Sequence, residues 1–210
     1  MTSPAFEKTA PDLFFQYNNV IKPLVAEIEA RGEVMPQPLF NEIRAFTDHI
    51  ARCYRDGITE DAINDELLKA RRHIVRITLD CFKCLNILVF QEIEQFEHRT
   101  RNINLKSIDN GEFYPKYKKM RRDASESVKK AKMAESVDSD AAQRLYEEAL
   151  NRYIAIENLI KDSTEEVKWA RVNFSARRIG KFLLWLAAAI LSGLLSLLIT
   201  CDFWRELLLK

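Results

Sequence analysis

The sequence predicts an all-α protein, in which an antiparallel helical bundle is followed by a long C-terminal helix that continues into one transmembrane helix. Its 210 residues include only 5 Gly and 6 Pro, so long stretches contain no turn signal. Apolar residues recur at three- and four-residue spacing, which is typical of the buried face of a helix. Residues 182–201 contain no charged residue over a length that spans a bilayer core as a helix.

The bundle is assigned to residues 11–103, and its first helix is punctuated by proline. Residues 1–10 are expected to form a flexible leader, because Pro11 suits the first position of a helix, where its missing N–H costs nothing. Pro23 predicts a kink or break within this helix, since it removes a hydrogen bond and clashes with the preceding turn. Gly32 is expected to end the helix.

Two further helices complete the predicted bundle. The second covers about residues 38–56 and is closed by Gly57, and Thr59 is expected to cap the third. The third helix has the strongest periodicity, so we expect it to be the central helix of the bundle and to continue to about residue 101. Its apolar positions alternate in steps of four and three: Ile63, Leu67, Ala70, Ile74, Ile77, Cys81, Cys84 and Leu88.

Residues 104–138 are predicted to form a turn and a basic segment. Asn110-Gly111 is a turn signal, at which the chain is expected to reverse. The residues that follow are polar nearly all round, which predicts an exposed helix or a mobile arm. We expect its cations to contact RNA or anionic lipid headgroups, with simple solvation as the alternative. These cations are Lys116, Lys118, Lys119, Arg121, Arg122, Lys129 and Lys130.

Residues 139–180 are predicted to form a long helix, or stalk, that runs without a break into a transmembrane helix of residues 181–201 and a short tail of residues 202–210. Because the apolar segment lies far from the N-terminus, we expect it to be retained and not cleaved as a signal peptide. More cations precede the segment than follow it, so the positive-inside bias predicts a single-pass membrane protein with its N-terminal body in the cytoplasm. The preceding cations are Arg171, Arg177, Arg178 and Lys181, and the following ones are Arg205 and Lys210.

Small residues form a stripe along the predicted span. Such a stripe lets helix backbones approach closely, so we expect the span to associate with copies of itself and the protein to be a homo-oligomer. The alternative is that small residues are simply common in membrane spans. The stripe consists of Ala188, Ala189, Ser192, Gly193 and Ser196.

Polar side chains flank the apolar faces of the second and third helices. When two helices pack antiparallel through a short turn, equivalent flanking positions lie on one side of the pair, which places Glu42 opposite His73. One hypothesis is a groove in which His49 and His73 transfer protons near neutral pH. The other is a set of charge pairs that solvates this face and fixes the helix register. The groove comprises Glu42, His49, His73, Arg76 and Asp80.

No pattern in the sequence predicts a metal or a cofactor. Cys81 and Cys84 form a C-x2-C pair, but they lie in the apolar seam with no second ligand pair, so we expect buried small side chains. Glycine-rich phosphate loops, G-x-S-x-G and H-E-x-x-H are missing, which argues against the common hydrolases and nucleotidases. The net charge of +1 provides no broad basic field, so we expect no DNA partner, and an RNA or ribonucleoprotein partner would need a basic patch.

Arg44 and His49 fit the pattern R-x4-H. At these residues the chain resembles the HEPN superfamily, small all-helical domains in which an R-x4-6-H motif supplies ribonuclease residues. The resemblance implies that Arg44 stabilises phosphate charge and that His49 is the acid or base in a metal-independent transesterification of RNA. A HEPN-like domain joined to a membrane span also resembles the membrane accessory proteins of prokaryotic RNA-targeting CRISPR immunity, in which the fold is thought to serve assembly in the membrane.

We therefore expect a membrane-anchored helical effector or interaction protein that self-associates through its span. The resemblance implies a setting of antiviral defence, in which the span would perturb or perforate the membrane. The alternative is a HEPN-type endoribonuclease that uses Arg44 and His49. A third possibility is a SNARE-like, tail-anchored fusion protein, although the apolar layers that such a protein needs over about residues 117–178 are missing from the basic segment.

Overall fold

The computed structural model describes residues 3–32 and 34–208, with side chains throughout except in residues 174–178 and 197–208. Within these ranges there are seven α-helices and no strand, which confirms the predicted all-α class. A π-helical turn, Tyr17–Ile21, lies between the first two helices, and two 3₁₀ turns, Leu105–Ser107 and Asp109–Gly111, lie between the fourth and fifth. The helices are α1 (Pro4–Gln16), α2 (Lys22–Gly32), α3 (Gln37–Arg52), α4 (Glu60–Thr100), α5 (Phe113–Ala134), α6 (Ser139–Asp162) and α7 (Thr164–Leu208).

The chain divides into two compact units. The first comprises Met1–Arg99 and Pro115–Lys161, and so contains α1 to α3, nearly all of α4, and most of α5 and α6. The second comprises Thr100–Tyr114 and Asp162–Lys210, which includes the two 3₁₀ turns and α7.

Helix α4 is the central helix of the first unit. Side-chain contacts show that α3 and α5 run antiparallel to it, whereas α1 and α6 run parallel to it. The contacts that fix these directions are His49–Glu66 and Glu42–His73 for α3, Arg121–Glu97 and Lys83–Glu135 for α5, Ser3–Glu60 and Arg71–Asp12 for α1, and Asn86–Tyr146 and Phe90–Tyr153 for α6.

The apolar seam predicted for α4 is buried only in its first half. Every predicted position from Ile63 to Cys81 is buried, but Cys84 and Leu88 are half-buried, and Leu85 and Val89 are buried in their place. An α-helix has about 3.6 residues per turn, so a strict seven-residue repeat drifts by about 20° in each heptad. The last two predicted positions are therefore wrong because the seam rotates away from them.

The predicted flexible leader is helical where the structure describes it. Helix α1 begins at Pro4, and the Ser3 hydroxyl accepts a hydrogen bond from the Ala5 N–H at 3.1 Å. The Glu60 carboxylate of α4 accepts from the same N–H at 2.9 Å. Pro4, not Pro11, thus occupies the first helical position, and packing against the core outweighs the tendency of Pro11 to begin a helix. The buried side chains of α1 are Phe6, Ala10 and Leu13.

The interruption predicted at Pro23 occurs immediately before it. In the π-helical turn the Lys22 N–H donates to the Tyr17 carbonyl, five residues earlier. Because α2 begins at Lys22, Pro23 lies in the first turn of a helix, where no N–H is required. The wider turn also rotates the residues around it, so that Ile21 is buried while Val20 is only half-buried.

Helices α3 and α4 form the hairpin on which the candidate site is built. The connection includes Gly57, whose φ of 71° lies in the left-handed region that glycine adopts without strain. As predicted, Thr59 caps α4 by accepting a hydrogen bond from the Ala62 N–H at 3.3 Å. Helix α3 ends at Arg52, a few residues before the predicted end near residue 56, and α4 extends to Thr100 as expected.

Helix α5 is packed along one face, and so it is neither a mobile arm nor polar all round. Its Tyr117 hydroxyl donates to the Glu97 carboxylate of α4 at 2.9 Å. Small and aromatic residues at helical spacing form the buried face, a pattern that the surrounding charges conceal in the sequence. The buried residues are Phe113, Tyr117, Ala124, Ser127 and Ala131.

The uninterrupted helix predicted from residue 139 is wrong. Helix α6 ends at Asp162 and α7 begins at Thr164, with buried Ser163 between them. Ser163 and Glu166 match the S-x-x-E pattern of a capping box, a start signal for a new helix. The Val167 N–H donates to the Ser163 carbonyl at 3.0 Å, which closes the first turn of α7.

Helix α7 contains the one segment among the described residues that is long and apolar enough to cross a membrane. The segment is Ile179–Ser196, with a mean hydropathy of 1.8 over 18 residues, and 0% of it is buried. The helix passes through Gly180 without a break. The structure therefore contains the long C-terminal helix and the single candidate span that were predicted.

Candidate functional site

Two histidines from antiparallel helices stack on each other between α3 and α4. The ring centroids of His49 and His73 are 5.1 Å apart, and the planes are inclined by 22°. The Nδ1 atom of His49 lies 2.7 Å from the Glu66 carboxylate, and that of His73 lies 2.7 Å from the Glu42 carboxylate. The predicted juxtaposition of Glu42 and His73 is thus present. We call His49 and His73 the imidazole pair and, with Glu42 and Glu66, the histidine–glutamate cluster.

The cluster follows from a repeat in the sequence, E-x6-H-x2-R. Seven residues span nearly two turns, so the Glu and His of one helix lie on the same face. In an antiparallel pair, each Glu then meets the His of the other helix. Glu66 is not among the residues predicted for the groove, and this repeat is the sequence signal that identifies it. The two copies are Glu42, His49 and Arg52 on α3, and Glu66, His73 and Arg76 on α4.

The carboxylates orient the two rings. The hydrogen bond from His49, supported by Lys69, lowers the pKa of Glu66 to about 2, so this carboxylate is ionised and can only accept. In His49, Nδ1–H is therefore the donor to Glu66 at 2.7 Å, while the Arg52 Nη1 atom, 3.5 Å from Nδ1, lies at the limit of a hydrogen bond, and Nε2 carries the lone pair in the neutral ring. Among the described residues no group bonds either Nε2, and neither Nε2 is buried. Each imidazole can thus take up or release a proton at Nε2.

Arg76 and Asp80, the other predicted groove residues, do not bond the imidazole pair in the part of the chain that the structure describes. Arg76 is exposed, and Asp80 lies 3.6 Å from Lys83, which also binds Glu135 at 2.7 Å. Burial raises the pKa of Asp80, Lys83 opposes this shift, and repulsion from Glu42 adds to it. Asp80 therefore belongs to a neighbouring set of ion pairs.

Arg44 and His49 do not form a single site within one chain. Five residues along an α-helix correspond to a rotation of about 140°, so the two side chains leave α3 in different directions. Arg44 is exposed, and no hydrogen bond or ion pair joins it to His49 in the described ranges. The role of Arg44 as a partner of His49 stays a prediction.

The cations of α5 lie on its outward faces, with one exception. Arg121 points inward: its Nε lies 3.2 Å from the Glu97 carboxylate, and its guanidinium lies 4.7 Å from the centre of the Phe90 ring. Arg121 is thus already engaged within the chain, and its contact with RNA or lipid headgroups stays a prediction. Contact of the others with RNA or lipid headgroups stays a prediction. The exposed cations are Lys116, Lys118, Lys119, Arg122, Lys129 and Lys130.

The cysteines of α4 have the properties of packed side chains. Cys81 is buried, and burial raises the pKa of its thiol to about 12. Cys84 is half-buried, and burial raises the pKa of its thiol as well. Protonated thiols are poor metal ligands. Within the described ranges, no group of three His, Cys, Asp or Glu side chains is arranged to bind a metal ion.

The small residues of the span are exposed along α7. A Cβ atom built on Gly193 would meet no other atom within 4 Å. No part of the described chain therefore covers the stripe at this position, and association through it stays a prediction. The exposed stripe residues are Ala188, Ala189, Ser192, Gly193 and Ser196.

Comparison of the chain with models of known protein families, with curated proteins and with solved structures finds no match. The resemblance to HEPN domains and to CRISPR accessory proteins therefore stays a prediction.

Proposed function

We propose that this chain is a single-pass membrane protein whose helical body acts as an interaction module. The observation that carries the proposal is the segment Ile179–Ser196, a helix of membrane-spanning length of which 0% is buried. Soluble proteins rarely leave an apolar patch of this size in water. A bilayer core would surround its leucines and its Trp185 with apolar material. Its backbone N–H and C=O groups would stay satisfied there, because a helix pairs them with one another.

The charges that flank the span support an orientation. Arg171, Arg177, Arg178 and Lys181 precede it, whereas Arg205 and Lys210 follow it. Because cations near a span stay on the cytoplasmic side, the helical body lies in the cytoplasm in this proposal.

The small-residue stripe supports a role beyond anchoring. Spans that associate through Ala, Ser and Gly would bring several helical bodies together at the membrane. In the antiviral setting that the family resemblance implies, such an assembly would act as an effector by perturbing or perforating the bilayer.

A double substitution in the span tests the anchoring. Leu191→Arg with Leu194→Arg places two charges at exposed positions of the helix, at a cost of about 3 kcal/mol each near the bilayer centre. We expect the wild-type chain to remain in membranes after an alkaline carbonate wash and the double variant to be released. Leu68→Arg with Val137→Arg adds the same charge at exposed positions of the body and should stay membrane-bound. Release of the wild-type chain would refute the anchor.

A second candidate function is favoured by the two accessible Nε2 atoms of the imidazole pair. It is metal-independent cleavage of RNA by His49 and His73, in place of the Arg44–His49 pair. One neutral imidazole takes the proton of a ribose 2′-hydroxyl, and the 2′-oxygen attacks the phosphorus. The other ring, as imidazolium, donates its proton to the departing 5′-oxygen. The products are a 2′,3′-cyclic phosphate and a 5′-hydroxyl.

This candidate is tested with the full chain in lipid nanodiscs, a single-stranded RNA and EDTA. We expect His49→Asn and His73→Asn each to slow cleavage by about 10²-fold or more. His98→Asn is the matched control, because His98 is an exposed histidine at the far end of α4. Arg44→Ala should cleave at the wild-type rate, whereas its inactivity would favour the HEPN-type pair. If the wild-type chain does not cleave the RNA, both the His49–His73 mechanism and the Arg44–His49 mechanism are excluded.

A further inference from the structure

The charges of the chain are distributed unevenly around the start of the candidate span. Residues 1–166 contain 29 acidic and 25 basic side chains, whereas residues 167–201 contain five basic side chains and no acidic one. Arg177 and Arg178 immediately precede the candidate span, and Lys181 is its third residue. We call these three residues the juxtamembrane cations. An anionic surface would therefore attract this part of the chain and repel the acidic remainder.

The helical register brings two of these cations next to an aromatic ring. Because α7 is helical throughout this region, Arg178, Lys181 and Trp185, at intervals of three and four residues, lie on one face. Lys181 is exposed and forms no hydrogen bond or ion pair with the described residues. The Trp185 side chain is 66% exposed, and its ring stacks on that of Phe182 with the centroids 6.2 Å apart. This face of α7 thus presents positive charge immediately followed by exposed aromatic surface.

A phospholipid has the same order of chemistry, a charged headgroup followed by apolar chains. Long Lys and Arg side chains near the end of a span extend to the headgroups, and Trp rings favour the boundary between headgroups and chains. A lipid beside this face would place its headgroup at Arg178 and Lys181 and its chains against Trp185. An anionic headgroup suits the juxtamembrane cations better than a zwitterionic one, which carries a cation of its own. RNA is less suitable, because an extended polyanion would also approach the acidic remainder of the chain.

We propose that the juxtamembrane cations bind the headgroup of an anionic phospholipid in the leaflet nearest the helical body, and that the chains of this lipid pack against Trp185. The inference rests on the membrane anchor proposed above and adds the class of lipid that the anchor selects. Trp185 can detect this lipid, because bromine on an acyl chain quenches the fluorescence of a tryptophan that it contacts. Trp169→Phe with Trp204→Phe leaves Trp185 as the one tryptophan of the full chain, which serves as the reference chain.

The reference chain is inserted into vesicles of equal parts phosphatidylglycerol and phosphatidylcholine, in which one lipid or the other carries brominated chains. Quenching should be stronger when phosphatidylglycerol is brominated, with a ratio of apparent binding constants of about five or more, the factor that one cation contributes near an anionic surface. Arg177→Gln, Arg178→Gln and Lys181→Gln together should remove this preference, so that the two brominated lipids quench equally.

A matched variant removes the same charge from the body. Lys119→Gln, Lys129→Gln and Lys130→Gln together change three exposed positions of α5 and should leave the preference for phosphatidylglycerol unchanged. Loss of the preference in this variant, with retention in the juxtamembrane variant, would overturn the proposal and assign lipid selection to α5.

The remaining outcomes separate the lipid preference from the anchor. Equal quenching of the reference chain by the two brominated lipids would overturn the lipid preference and leave the anchor in place. If that chain shows no preference but binds single-stranded RNA through the juxtamembrane cations, these cations serve RNA and the proposal fails. Absence of quenching by either lipid would place Trp185 outside the bilayer, which would refute the anchor together with this inference.

Discussion

Glu66 places a mostly buried negative charge against the imidazole pair, and its contribution to stability depends on pH. Its side chain is 14% exposed, accepts a hydrogen bond from His49 and binds Lys69 at 3.0 Å. These partners favour the ionised form, so its pKa falls from 4.5 to about 2. A carboxylate whose pKa is lowered by folding stabilises the native state above its unfolded pKa. That stabilisation is lost as the pH falls towards the folded pKa.

Glu66→Gln should remove this pH dependence. As the pH is lowered from about 5 to about 2, we expect the unfolding temperature of the wild-type chain to decrease. The unfolding temperature of the Glu66→Gln variant should decrease less over the same range. At pH 7 the variant should be less stable by about 1–3 kcal/mol, the usual cost of losing a buried charge-assisted hydrogen bond. Unfolding followed by circular dichroism in detergent measures both effects. Glu147→Gln, at an exposed position of α6, is the control. Parallel curves for wild type and Glu66→Gln would contradict the assignment.

Single residues of the candidate site differ in how far the sequence reveals them. The Glu42–His73 contact follows from antiparallel geometry, because flanking positions of a helical hairpin fall on one side. Glu66 follows from the E-x6-H-x2-R repeat once both copies are compared. Arg121 could not be found this way. It stands in a run of cations that predicts solvation, and only the tertiary approach of Glu97 and Phe90 places it inside.

At the scale of helices, Arg31 ties α2 to both α4 and α6. Its Nη1 lies 3.0 Å from both oxygens of Glu92, its Nη2 lies 3.0 Å from Glu157, and its Nε lies 2.6 Å from Glu27. The side chain is only 16% exposed. Burial alone would lower the pKa of this guanidinium, but the hydrogen bonds to Glu27 and Glu157 raise it above its ordinary value. Arg31 is therefore a charged cross-link between three helices.

Arg31→Met should destabilise the first unit by about 1–3 kcal/mol, because it removes buried charge-assisted hydrogen bonds and leaves Glu157 with Lys161 as its remaining partner. The free energy of unfolding from a denaturant titration measures the loss. Arg152→Met is the control. Arg152 bonds Glu148 one turn away on the exposed face of α6, and such a pair contributes about 0.5 kcal/mol or less. Similar losses in the two variants would show that Arg31 is not a cross-link.

Element boundaries could be predicted where a local signal decides them and not where packing does. Thr59 marks a real helix start and Gly57 a real turn between α3 and α4, because backbone conformation and capping are local properties. The start of α1 depends on Glu60, a partner distant in sequence. The break at Ser163 has a local signal in its S-x-x-E pattern, but the apolar periodicity continues across it and conceals the signal.

At the scale of the whole molecule, the chain combines side chains suited to two different surroundings. Those of the first unit pack into a core around α4, whereas every described side chain from residue 181 to residue 196 is exposed. The exposed segment is also where the sequence was most informative, since hydropathy and length alone identify a candidate span. What such a span would contact in a bilayer depends on other molecules, which neither hydropathy nor the fold of one chain specifies.

Gly193→Ile tests whether that contact is a second copy of the chain. An added side chain at Gly193 meets nothing within 4 Å in the chain itself, so this substitution should leave the fold unchanged. If spans pack through the small-residue stripe, the larger side chain separates them and weakens association by about tenfold. Leu194→Ile changes the neighbouring exposed position without altering the stripe and should associate as the wild type does. Sedimentation equilibrium in detergent measures all three. A strictly monomeric wild type would contradict self-association through the stripe, and so would a Gly193→Ile variant that associates as strongly as the wild type. The side chain added at Gly193 touches no other part of the chain, so any effect of it on association must come from contact with a partner helix.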